Sequence, residues 1–196
     1  MTMISAAVLL FLVMDPLGNV PMFISALKNV AAERQNTVIV RELLIALLLL
    51  VIFLFAGQYL LSWFHITDPA LTVSGGVILF LIAIRMVFPS HEKPLQEGID
   101  GEPFIVPLAV PYVVGPSAIA TVMLMMTRNP ERWPEWLMAV FLAWLASSLI
   151  LFFATKLKRF LSQRVLIAIE RLMGMLLITL AVQMLMTGIH QFMHTT

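Results

Sequence analysis

Long apolar runs separated by short polar joints dominate the chain. Runs of about 20 apolar residues are long enough to cross a bilayer. Six are predicted, at roughly residues 3–27, 40–63, 70–89, 104–127, 135–156 and 165–189. The stretch 43–61 carries no charge at all. Two of the six runs are interrupted. The first contains Met14-Asp15-Pro16-Leu17-Gly18-Asn19-Val20-Pro21, and the fourth contains Pro107-Leu108-Ala109-Val110-Pro111-Tyr112-Val113-Val114-Gly115-Pro116-Ser117. An ionisable side chain and helix breakers at membrane depth are tolerated only where they are buried in protein or line a cavity. A pair of interrupted spans at matching places in two halves points to a transporter's binding site.

The halves match at an offset of about 98 residues, half the chain's 196. Ile52-Phe53-Leu54-Phe55-Ala56 lies over Ile150-Leu151-Phe152-Phe153-Ala154, Gly76 over Gly174, Ala83 over Ala181 and Met86 over Met184. Gly18 lies over Gly115 with a slip of one residue. Matched Leu and Ile mean little between membrane helices; matched glycines and matched breaks mean more. With three spans per half, the second half must be inverted relative to the first, a common plan for secondary transporters. The expected fold is therefore an all-α polytopic membrane protein. It has six transmembrane helices in two inverted three-helix repeats, and the first helix of each repeat is broken. The chain 1–196 forms one membrane domain: repeat 1 at 1–90, a loop at 90–103 and repeat 2 at 104–196.

Composition agrees. The chain is 61% hydrophobic and 12% charged, with a mean hydropathy of +0.98, whereas soluble domains run near 25% charged. The net charge of +1 says little about partners, but its placement sets orientation. Loops 1–2, 3–4 and 5–6 hold Lys28, Arg34, Arg41, Arg85, Lys93, Lys156, Lys158, Arg159, Arg164 and Arg171; the other side holds Arg128 and Arg132. By the positive-inside rule the first side is cytoplasmic and both termini face outward. The opening MTMISAAVLLFLVM lacks a basic n-region and a cleavage site, and reads as the first span. There is no Cys, hence no disulfide or thiolate chemistry.

Asp15-Pro16 fits two roles. Asp at N-cap with Pro at N1 is a preferred helix start; a carboxylate at a cavity can also carry a proton or hold a cationic group. Gly115-Pro116-Ser117 repeats the local design without the carboxylate. If both second half-helices start near the midplane, their N-termini converge from opposite sides, favouring an anionic group between them. The expected substrate site comprises Asp15, Gly18, Asn19, Pro21, Gly115, Pro116 and Ser117, with Thr121 and Ser25 as further hydrogen-bond donors. Gly75, Gly76 and Gly174 read as packing positions. Arg85 and Gln183 fall at matched positions near span ends. Glu42 and Glu170 read as interfacial partners of neighbouring arginines. His190 and His194 are one turn apart, too few for a metal site. No G-x-S-x-G, H-E-x-x-H, phosphate-binding loop or dinucleotide fingerprint is present. No enzyme activity, cofactor, metal or nucleic-acid partner is expected.

Asp15-Pro16-Leu17-Gly18-Asn19-Val20-Pro21-Met22-Phe23, followed by Pro111-Tyr112-Val113-Val114-Gly115-Pro116-Ser117-Ala118-Ile119, resembles the MarC family of bacterial inner-membrane proteins. The likeness extends over the whole chain. It implies a six-span protein of the bacterial inner membrane, both termini periplasmic, with distant kinship to LysE-type exporters. That kinship implies secondary transport, as export of a small polar, amino-acid-like metabolite. The partners are then the lipid bilayer and that unidentified small molecule; association into homo-oligomers is compatible with this. The alternatives are a lipid-handling or channel-like protein and a structural or regulatory membrane subunit.

Overall fold

In a computed structural model the chain is a bundle of helices, and the structure describes residues 1–27, 30–88, 113–154 and 163–195. The helices are α1 (Met3–Met14), α2 (Pro16–Ala26), α3 (Ala32–Trp63), α4 (Asp68–Val87), α5 (Pro116–Arg128), α6 (Trp133–Phe152) and α7 (Gln163–Thr195). A 3-10 turn at Pro130–Arg132 leads into α6. No strand occurs among the described residues. The acidic loop 90–103, the stretch 104–112 of the fourth expected span, and Lys28, Lys93, Lys156, Lys158 and Arg159 lie outside them.

The apolar residues sit where a bilayer would want them. Leu44, Leu48 and Ile52 form an exposed stripe on α3, and Leu172, Met175, Leu176, Val182 and Met186 form another on α7. The interior sets small residues, including Ala6, Ala46, Ala83, Ala118, Ala139, Ala143 and Ala181, among larger Leu, Val and Met side chains. In lipid, apolar surface gives no drive for helices to associate, so small residues that admit close backbone approach carry the packing. Among the described residues five stretches are long and apolar enough to cross a membrane: Met3–Pro21, Glu33–Trp63, Asp68–Val87, Pro130–Phe152 and Arg164–His194. At 13 residues α5 is roughly 20 Å long, about two-thirds of a hydrocarbon core.

Two helices are longer than the hydropathy pattern predicts. α3 starts at Ala32 rather than near 40, and α7 runs from Gln163 to Thr195 rather than 165–189. Each exceeds 30 residues, roughly 48 Å, well beyond the membrane core. The extra turns are polar, with Glu33, Arg34 and Gln35 on α3 and Gln191 and His194 on α7. Hydropathy marks where a helix is in lipid, not where it ends. Gln183 accordingly lies well inside α7 and not near its end.

The packing partners form a pattern. α1 packs on α6, α3 on α5, and α4 on α7, the last contact being the most extensive. α2 lies on α7 and α6, while α5 lies on α4. At the α4–α7 crossing, a Cβ at Gly76 would meet the Ala181 carbonyl oxygen at 3.2 Å, and one at Gly174 would meet the Ala83 carbonyl oxygen at 3.1 Å. Both glycines are therefore packing positions, as expected. Between α6 and α3, Trp144 Nε1 donates to the Leu43 carbonyl at 2.7 Å.

Arg132 Nη1 donates to the Met1 carbonyl at 2.7 Å, and Arg128 Nη2 to Gln191 Oε1 at 2.9 Å. The N-terminus, the end of α7, Arg128 and Arg132 thus share one face of the bundle, the termini face.

Candidate functional site

The first span breaks at one residue. Asp15 adopts φ 44°, ψ 59°, the left-handed region that ends α1, and its N–H bonds the Leu12 and Phe11 carbonyls. Left-handed backbone is uncommon outside Gly, and Asp is among the side chains that tolerate it. The same residue starts α2. Its Oδ1 accepts from the Gly18 N–H at 3.2 Å, and its carbonyl accepts from the Asn19 N–H at 3.1 Å. Pro16 follows at N1, where a missing N–H costs nothing. Asn19 Nδ2 donates back to the Met14 carbonyl at 3.0 Å, tying the two half-helices together across the break. Pro21 lies inside α2, so the Leu17 carbonyl lacks its helical N–H donor. The capping role of Asp15 is therefore present. Asp15 is only 4% exposed, an expensive setting for a carboxylate with so few partners.

The second break is less finished. Gly115 is the N-cap of α5, with φ −76°, ψ 160° and no side-chain cap, and Pro116 follows at N1. Its carbonyl takes the Ala118 and Ile119 N–H groups at 3.0 and 3.1 Å. Ser117 is buried, and its carbonyl accepts from the Thr121 hydroxyl at 2.8 Å. α2 is capped by a carboxylate; the first turn of α5 is left to whatever fills the space before it.

The two breaks lie at similar depth. Leu9 of α1 and Thr121 of α5 line one cavity on the termini face. Asp15 is six residues beyond Leu9 and Gly115 six before Thr121, roughly 9 Å deeper in each case. From that level α2 runs away from the termini face and α5 runs toward it. Asp15, Gly18, Asn19 and Pro21 thus form one group on α2, and Gly115, Pro116 and Ser117 another on α5. Among the described residues no hydrogen bond joins the two groups. The Ser25 side chain lies outside the described residues.

Two buried serines of α6 were passed over in the sequence reading, and one of them reaches the break. Ser147 of α6 donates to Met14 Sδ at 3.9 Å. Ser148, also buried, has an Oγ with no partner among the described residues. They are the only polar pair in the run 136–154, a signal that was available. Glu170 of α7 stands close enough for its charge to act on Asp15. Glu42 pairs with Arg41 at 2.9 Å as expected, and its side chain is fully buried.

Gly18 is fixed by the carboxylate. A Cβ there would collide with Asp15 Oδ2 and Met86 Cε. The methionine tip can swing away; the cap cannot without losing its hydrogen bond. Gly18→Ala is therefore expected to destabilise the protein by about 1–2 kcal/mol, the value of a lost N-cap, read as a lower melting temperature in detergent.

The cavity itself measures about 390 Å³ and is lined by α1, α4, α5, α6 and α7, with Thr121 the only expected site residue on its wall. No group of three or more His, Asp or Glu residues suited to a metal occurs among the described residues.

Compared with known proteins, residues 1–193 match the MarC family of integral membrane proteins. The chain is 46% identical over 193 residues to the inner membrane protein YhgN of Escherichia coli strain K12, covering 97% of each chain. It is 41% identical to a membrane protein of Buchnera aphidicola subsp. Baizongia pistaciae, covering 97% of this chain and 98% of that one. It is 33% identical to one of Chlamydia muridarum, covering 92% and 89%. No solved structure matches.

Proposed function

The chain belongs to the MarC family of integral membrane proteins, and we propose that it works as a secondary transporter exporting a small polar, amino-acid-like metabolite across the bacterial inner membrane. The observation that carries this reading is the break at Asp15. A buried carboxylate, two half-helix N-termini at one depth running in opposite directions, and unpartnered Ser148 are the parts of a midplane binding site. The location rests on YhgN, which is named as an inner membrane protein.

The architecture proposed with it is a single domain of two inverted three-helix repeats, with residues 104–112 completing a sixth span ahead of α5. Reciprocal packing supports this. First helix on second helix occurs in both senses, as α1 on α6 and α5 on α3, and the third helices pack on each other. Gly76 faces Ala181 and Gly174 faces Ala83, the two ends of one pseudo-twofold relation at the same offset. The ten basic residues assigned to one side support cytoplasmic loops there and a periplasmic termini face.

Thermal denaturation in detergent against a metabolite library tests the reading. At least one compound is expected to raise the melting temperature of the wild type, a stabilisation of about 2.7 kcal/mol at a hundredfold excess over Kd, and Asp15→Asn is expected to lose that shift. A folded wild type that no compound stabilises would count against a small-molecule site.

A further inference from the structure

The cavity on the termini face has chemistry of its own. Its polar wall is Thr72, Thr121, Arg128, Asn129, Gln183 and Thr187; the rest is Leu, Met and Trp side chains. Arg128 is held from two helices. Its Nη2 donates to Thr72 Oγ1 on α4 at 3.4 Å and to Gln191 Oε1 on α7 at 2.9 Å. Thr72 is buried and spends its own proton on the Asp68 carbonyl at 2.7 Å, which leaves its oxygen to accept. A guanidinium has five N–H donors. Nε and Nη1 of Arg128 have no acceptor among the described residues.

Among the described residues no acidic side chain lines this cavity. The neighbouring carboxylate of Glu135 is engaged by Arg132. The cavity therefore presents one positioned, unneutralised cation beside an apolar wall. Its volume is in the range of small-molecule sites. An Arg fork is suited to carboxylate, and apolar walls are suited to a hydrocarbon body.

We propose that this cavity is the outer binding site for a small monocarboxylate with an apolar body, its carboxylate held by Arg128. The inference rests on the transporter reading and names the substrate class that reading leaves open. Thr121 links the two places: it lines the cavity and sits one turn above Ser117 at the start of α5. Thr121 lies about 9 Å along α5 from the level of Gly115.

The test uses the full chain purified in detergent and radiolabelled 4-methylpentanoate, with binding read by scintillation proximity. Saturable binding is expected. Its neutral analogue 4-methylpentanamide should compete at least about tenfold more weakly, as loss of a charge-assisted hydrogen bond requires. Arg128→Gln should weaken binding by at least about tenfold at an unchanged melting temperature, and Arg128→Lys should retain part of it. Equal competition by the amide, or wild-type affinity in Arg128→Gln, overturns the proposal. So does displacement by dispersed phosphatidylglycerol, which would assign Arg128 to a lipid phosphate. If Arg128→Gln does not fold, the amide comparison and Arg128→Lys decide.

Failed binding with intact pH-coupled efflux overturns the Arg128 site alone. Intact binding with no efflux overturns the transporter reading alone.

Discussion

Asp15→Asn is expected to leave the fold standing and to abolish the pH dependence of transport. Asn caps helices as well as Asp does and is among the residues that enter the left-handed region. Its amide oxygen can accept the Gly18 N–H that Oδ1 accepts now. Only the charge and the titrating proton are gone. Asp15→Ala differs: it loses the cap and places an ordinary side chain at φ 44°, together costing about 2–3 kcal/mol. The pair separates the two roles of this residue. A purely structural Asp15 makes Asn harmless and Ala damaging; a coupling Asp15 leaves the Asn variant folded but without pH-dependent transport. Transport rates in proteoliposomes at several pH values read the first effect and melting temperatures the second. pH-dependent transport that survives Asp15→Asn would remove the coupling role.

The largest loss of stability is expected from Gly174→Leu. A Cβ at 174 would lie 2.9 Å from Val87 Cγ2, 3.0 Å from Met86 Cβ and 3.1 Å from the Ala83 carbonyl oxygen. Two of these belong to backbone or to a Cβ and cannot swing aside. Gly174→Ala has opposing terms: about 1 kcal/mol gained from helix propensity against about 1–3 kcal/mol of overpacking. It should be mildly destabilising. Leu adds three more carbons to a space that does not hold one, so overpacking wins, at roughly 3 kcal/mol or more. The α4–α7 contact is the most extensive in the bundle, so the helices should separate on heating well below the wild-type temperature. Fluorescence-detected size exclusion after a heat step measures this. Gly76→Leu should behave alike, because a Cβ there already meets the Ala181 carbonyl oxygen and the Leu185 backbone nitrogen at 3.2 Å.

Much of this was legible in the sequence because it is local or periodic. Capping is a five-residue matter, so Asp15-Pro16 announced its break. The Gly76 and Gly174 match was visible at the repeat offset, and both glycines pack as that match implies. The first turns of α3 were not legible, since Glu33, Arg34 and Gln35 form a helix outside the lipid that a hydropathy window discards. The cavity escaped for a different reason. Arg128, Thr72 and Gln191 are 56 and 63 residues apart along the chain, and nothing local in any of them signals the others. Ser147 is likewise 133 residues from Met14, so nothing local in the sequence ties it to the break. The proximity of Glu170 to Asp15 depends on how α2 lies against α7, which spacing cannot reveal.

The most direct test of the transporter reading needs no prior substrate. The protein is reconstituted into liposomes loaded with a bacterial metabolite extract, a pH gradient is imposed, and the outside medium is followed by mass spectrometry. The account predicts that at least one small polar metabolite leaves wild-type liposomes faster than protein-free ones, and that Asp15→Asn removes the dependence on the gradient. Efflux profiles indistinguishable from protein-free liposomes, with the reconstituted protein shown to be folded, would contradict it.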